Sequence, residues 1–204
     1  MKKAVQLIEL SEEPTADLLF SLERERFAAD LSGQAPGRDL SFVLAISPAT
    51  ITLASWWIGE VYCDETFGGS KFVEGLWEKD VIELFIREEG TNRYQEFNLS
   101  PAGCWWSAVF DGYRKRSPQA LAPKSAFTIT DREESLSFTA LTILRSEIQL
   151  KLPAPNRLAA NVCAIFSQPK QQFFSVCDLG QGKPDFHKVE KICPVLIKKY
   201  SGAT

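Results

Sequence analysis

The stretch from Gly75 to Arg114, GLWEKDVIELFIREEGTNRYQEFNLSPAGCWWSAVFDGYR, constrains the fold more than any other part of the chain. From Trp77 to Ile86 its residues alternate. Asp80, Ile82, Leu84 and Ile86 point one way, and Val81, Glu83 and Phe85 point the other. Large apolar residues on both faces need cover on both sides, so a central strand is expected here. Glu88 to Asn92 is polar turn material, and Tyr94 to Leu99 reads as the return strand. On it Tyr94, Glu96 and Asn98 share one face, and Gln95, Phe97 and Leu99 the other. Ser100-Pro101-Ala102-Gly103 forms a second turn, and Cys104 to Phe110 a third strand that ends at Asp111-Gly112.

The same alternation recurs at intervals of roughly 8–12 residues along the chain. Strands are expected at Ala4 to Leu10, Asp39 to Ile46, Ile51 to Trp57, Ala126 to Thr130, Ser135 to Ile143, Arg157 to Phe166, Phe173 to Cys177 and Val195 to Lys199. Pro14 to Ala29 carries a mixed signal. Leu18, Leu22 and Arg26 fit a helix whose wet face is Glu23 to Arg26. Arg145 to Leu150 reads as a helical turn or a short strand before Pro153 and Pro155. The expected architecture is all-β, a two-sheet antiparallel β-sandwich forming a single domain over residues 1–204.

Composition narrows the function. A hydrophobic content of 45 % supports a real core rather than disorder. A net charge of −3 leaves no electrostatic footprint for nucleic acid, and the short Arg114-Lys115-Arg116 cluster reads as a solvated strand end. No stretch is long enough to span a membrane, and no apolar run near Met1 has the length of a signal peptide core. The five cysteines follow no CxxC spacing, so reduced thiols and a cytoplasmic location are expected.

A catalytic constellation is not found. There is no GxSxG elbow, His187 is the only histidine, and Asp80 and Glu83 fall on opposite strand faces. No metal is expected, because Asp64-Glu65 and Asp131 to Glu134 read as solvated turns. No cofactor is expected either. Glu83, Glu96 and Asn98, by contrast, are spaced to meet across neighbouring strands beside Trp77, Trp105 and Trp106. Indole rings stack on the apolar face of a sugar ring, while carboxyls and amides take its hydroxyls. Trp56, Trp57 and Tyr62 read as a hydrophobic seal at the end of the sandwich.

GLWEKDVIELF, YQEFNLSPAGCWW, FDGYR and the later GKPDFH, Gly182 to His187, together resemble the DOMON-like proteins related to family 9 carbohydrate-binding modules. The resemblance implies a β-sandwich and a non-catalytic sugar site with Trp77 as a clamp ring and Glu83 as a sugar-contacting acid. Phe173, Phe174 and Ser175 stand where a second clamp tryptophan would be expected. The carbohydrate-binding residues expected on this combined reading are Trp77, Glu83, Glu96, Asn98, Trp105, Arg114, Ser175, Asp185 and His187. The alternative reading is an intracellular β-sandwich that offers the same face to a partner protein or another small ligand.

Overall fold

Val81–Glu88, the central strand of the opening stretch, is flanked by neighbours on both edges and covered on both faces. The computed structural model describes residues 4–63, 70–129, 140–146, 157–180 and 182–201. Among these are thirteen strands and one short α-helix, in the order β1 (Val5–Glu9), α1 (Ala16–Ser21), β2 (Glu25–Arg26), β3 (Asp39–Ile46), β4 (Ile51–Ile58), β5 (Val81–Glu88), β6 (Tyr94–Leu99), β7 (Trp105–Gly112), β8 (Lys115–Arg116), β9 (Ser125–Ile129), β10 (Ala140–Ser146), β11 (Leu158–Phe166), β12 (Gln172–Ser175) and β13 (Cys193–Lys199).

Two layers result. One runs β8-β7-β6-β5-β11, with β12 also paired to β11; the other runs β1-β3-β4-β10-β9, with β2 paired to β3. β13 joins them. Its first two residues pair with β11, at Ala159–Pro194 and Ala160–Cys193, and the rest, from Val195 to Lys199, pairs with β1. The expected sandwich is present, with one refinement. β1 runs parallel to both β13 and β3, so the sheet is mixed rather than purely antiparallel.

Three apolar clusters follow from the alternation. Leu40, Phe42, Leu44, Leu53 and Trp57 meet Ile82, Leu84, Ile86, Phe97 and Val162 between the layers. Ile8, Val43, Trp56 and Ile143, on the outer face of the second layer, are covered by Leu19 and Leu22 from the α1 region. Val81, Phe85, Tyr94, Trp106 and Phe110, on the outer face of the first layer, are covered by Leu76, Leu179, Phe186 and Val189. Both faces of β5 are therefore apolar because one meets the other layer and the second meets these connecting segments.

Several boundaries differ from the sequence expectation. The helix over Pro14 to Ala29 stops at Ser21. Thr15 caps it by accepting a hydrogen bond from the Leu18 amide at 3.2 Å, and Leu22 is already extended. The supposed wet face becomes β2, paired to β3, where Arg26 meets Asp39 at 3.2 Å. Trp77 is not in a strand. It sits in a single turn of 3-10 helix, Leu76–Glu78, entered through Gly75 at φ +83°. Trp56 and Trp57 are fully buried, but on opposite faces of β4 and in two different clusters, and Tyr62 is only partly buried. The Asp64-Glu65 turn, the Asp131 to Glu134 turn and most of the Arg145 to Leu150 segment lie outside the described residues; Arg145 and Ser146 end β10.

Candidate functional site

The outer face of the β8-β7-β6-β5-β11 layer carries the polar groups. Register sets them in rows across the strands. Ser175, Cys163, Glu83, Asn98 and Trp106 form one row. Asn161, Phe85, Glu96 and Ala108 form the next, and Arg87, Tyr94, Phe110 and Arg116 the third. Glu83 and Glu96 are thus diagonal neighbours on adjacent strands. A cleft of about 440 Å³ opens over them, lined by Trp77, Trp106, Phe110 and Phe173, by Arg114 and Arg116, and by Asp185, Phe186 and His187.

The floor of this cleft is two buried carboxyls. Glu83 is 3 % and Glu96 4 % exposed. Burial drives the Glu83 carboxyl well above its usual range, and the Glu96 charge beside it pushes the same way. Burial raises Glu96 to about 7, against the opposing pull of the nearby Asn98 amide, Arg114 and Arg116. Glu96 Oε2 and both amide atoms of Asn98 are buried with no partner at hydrogen-bond geometry.

The GKPDFH segment builds the opposite wall. Phe186 is buried, and its neighbours Asp185 and His187 turn toward the cleft. Asp185 accepts hydrogen bonds from the Tyr113 hydroxyl at 2.7 Å, the Arg114 guanidinium at 3.0 Å and the His187 amide at 3.1 Å. These contacts hold its carboxyl below the usual range, although burial acts against them. The Tyr94 hydroxyl lies 2.7 Å from His187 Nδ1 and accepts the Arg114 amide at 3.4 Å. The other ring nitrogen, Nε2, lies 3.8 Å from Glu96 Oε2. Burial and the Arg114 charge lower the His187 pKa to about 4, so the ring is neutral at physiological pH. Phe85 and Phe110 pack edge-on against it.

The aromatic wall is equally fixed. Trp106 donates its indole N–H to Glu74 at 2.9 Å, and Trp77 meets Trp106 edge-to-face at 5.3 Å. Trp77 is 37 % exposed, which leaves part of its ring open to the cleft.

No protein-family model and no curated protein matches the sequence. Solved structures do. A candidate carbohydrate-binding protein from Bacteroides uniformis ATCC 8492 superposes with a TM-score of 0.69 at 14 % identity, over 97 % of this chain and 100 % of that one. A family 9 carbohydrate-binding module from Caldicellulosiruptor kristjanssonii superposes in two complexes. With glucose the TM-score is 0.59 at 10 % identity, covering 98 % of this chain and 99 % of that one. With cellotriose it is 0.57 at 10 % identity, covering 96 % and 94 %. The chain has the fold of the family 9 carbohydrate-binding modules.

On this family 9 fold, the sequence-expected residues divide into two groups. Trp77, Glu83, Glu96, Arg114, Asp185 and His187 line one cleft, and Asn98 lies beside Glu83 beneath it. Trp105 does not join them. It pairs with Leu99, packs against the core between the layers and meets Phe72 edge-on at 5.4 Å. Ser175 shares the row of Glu83, but its hydroxyl is taken by Asn161 and by the Cys177 carbonyl at 2.8 Å, and it does not line the cleft. Phe110 and Arg116 were missed as lining residues, and Trp106 and Phe173, though singled out in the sequence, were left out of the expected set. For Trp106 a signal was present. The β6–β7 hairpin pairs Asn98 with Trp106 and Leu99 with Trp105, so even numbers face even numbers across that turn. Carrying the Asn98 face through the turn selects Trp106 over Trp105.

Proposed function

We propose that this protein is a non-catalytic carbohydrate-binding domain that holds a sugar in the cleft over Glu83 and Glu96. The observation that carries the reading is the cleft floor. Glu96 Oε2 and both Asn98 amide atoms are buried and unpartnered beneath a cleft lined by an open indole face. An unmet buried polar group costs about 1–3 kcal/mol, and sugar hydroxyls, which donate and accept, supply what is missing. Trp77 offers the stacking surface for the pyranose ring. Glu83, held toward its protonated form, donates to a sugar oxygen, and Glu96 sits near its titration point beside it. The sugar complexes of the structurally similar family 9 module support this choice of ligand class.

The cytoplasmic location expected from the sequence is part of the proposal. All five cysteines are thiols and four are buried, which supports a reducing compartment.

Isothermal titration with glucose, xylose, galactose and cellotriose tests the reading. Wild-type protein is expected to bind at least one of them saturably, and Trp77→Ala to lower that affinity roughly tenfold or more. Lack of saturation with every sugar at millimolar concentration would remove the sugar reading. A stable protein complex lost in Trp77→Ala would move the face to the partner-protein alternative.

A further inference from the structure

The cleft holds one positive charge that makes no ion pair among the described residues. Arg114 is committed: its guanidinium meets Asp185 at 3.0 Å, and Asp185 also takes Tyr113 and the His187 amide. Arg116 is different. It pairs with Phe110 across the β7–β8 strands, lines the cleft, and places its guanidinium 5.0 Å over the Trp106 ring. Among the described residues, no acidic group lies within ion-pair distance of it. Glu74 sits at the Trp106 indole nitrogen, where it accepts the N–H at 2.9 Å. Glu83 on the floor is held toward its neutral form by burial, Glu96 titrates near 7 and feels the Arg116 charge without pairing to it, and His187 is uncharged. A wholly neutral ligand leaves this guanidinium without an anion.

The stacking matters as much as the charge. A mobile exposed arginine contributes little to an ion pair, because ordering its side chain offsets the gain. Arg116 is exposed, but its guanidinium over an indole ring loses less freedom on pairing, and its planar fork matches a carboxylate in two parallel hydrogen bonds. Trp106 is itself fixed by Glu74 and Trp77. The guanidinium therefore stands on a braced platform.

We propose that the sugar taken by this cleft is an acidic one, a uronic acid or a saccharide ending in one, whose carboxylate is read by Arg116. The proposal rests on the sugar reading above and deepens it. The pyranose ring lies against Trp77 over the floor carboxyls, and the acid group reaches toward β8.

The test is calorimetric titration at neutral pH and low salt with two matched pairs: glucuronate against glucose, and galacturonate against galactose. Each pair differs only in the oxidation state at C6. A charge-assisted bidentate contact predicts a preference of about tenfold to a hundredfold for the acid in at least one pair. That preference should shrink as salt is added, and fall to near one in Arg116→Gln. Circular dichroism and thermal melting of Arg116→Gln check that the fold is retained. Saturable binding of a neutral sugar with no preference for its acid overturns the inference and leaves the sugar reading standing. A preference that survives in folded Arg116→Gln also overturns it. No binding of any of the four overturns the inference, and the sugar reading falls with it only if xylose and cellotriose also fail to bind.

Discussion

A double variant, Glu83→Gln with Glu96→Gln, is expected to gain stability over the wild type as pH rises from about 5 to about 6.5, by up to roughly 2.7 kcal/mol per pH unit. The sign follows from protons bound. Both carboxyls have folded pKa values above their ordinary 4.5, so the native state keeps protons that the unfolded chain releases. Their contribution is fully present below the unfolded value and is lost as pH rises. For Glu96 the loss is complete near its folded value of about 7. Each group contributes about 1.4 kcal/mol per unit, and glutamine contributes nothing.

His187 works in the opposite direction. Its folded pKa of about 4 lies below the ordinary 6.5, so the native state gains stability as pH rises through that interval. Wild type therefore shows the difference between two acids and one imidazole, a shallower fall than the acids alone would give. The variant retains His187, so its stability should rise over the same window, and the slopes should differ in sign. Urea unfolding of both proteins at four or so pH values across the interval measures this, and parallel curves would contradict it. A buried acid pair lowers stability at neutral pH.

Asp80→Ala is expected to lower the unfolding free energy by about 3–5 kcal/mol, because it strands a partly buried guanidinium. Asp80 is fully buried and ion-pairs with Arg38 through both guanidinium nitrogens. It also accepts the Tyr62 amide at 2.9 Å and the Ser167 amide at 2.8 Å. One carboxylate thus ties the start of β5 to three distant segments, directly after the 3-10 turn that carries Trp77. Chemical denaturation reads the loss. Replacing both partners with apolar residues, Arg38→Met with Asp80→Leu, should recover part of it. A single-variant loss under about 1 kcal/mol would show that the pair is not holding this corner.

The division of labour between Asp80 and Glu83 was legible from alternation alone. A period of two places them on opposite faces, and the structure gives one a structural ion pair and the other the cleft floor. The meeting of Glu83, Glu96 and Asn98 across neighbouring strands followed from the same count, and the register pairs Glu83 with Asn98 and sets Glu96 on the diagonal. Trp105 was misplaced because neighbouring tryptophans look alike until the register is carried through the turn. Ser175 was misplaced for another reason. Its row is right, but Asn161 competes for its hydroxyl, and that contact comes from a strand without a sequence motif. The stacking of Arg116 on Trp106 was hidden in a short basic cluster, because only three-dimensional packing brings the ring beneath it. The parallel β1 lay beyond pattern reading too: alternation gives a strand its faces, not its direction relative to neighbours.

The indole N–H resonances of the five tryptophans offer the most direct measurement. Trp77 and Trp106 lie at the cleft, Trp56 and Trp57 are fully buried elsewhere, and Trp105 packs on the opposite face of its strand. In a nitrogen-proton correlation spectrum recorded during titration with glucuronate or glucose, the Trp77 and Trp106 signals should move together and saturate, while the other three stay in place. Saturating shifts confined to Trp56, Trp57 or Trp105 would contradict a sugar site over Glu83 and Glu96.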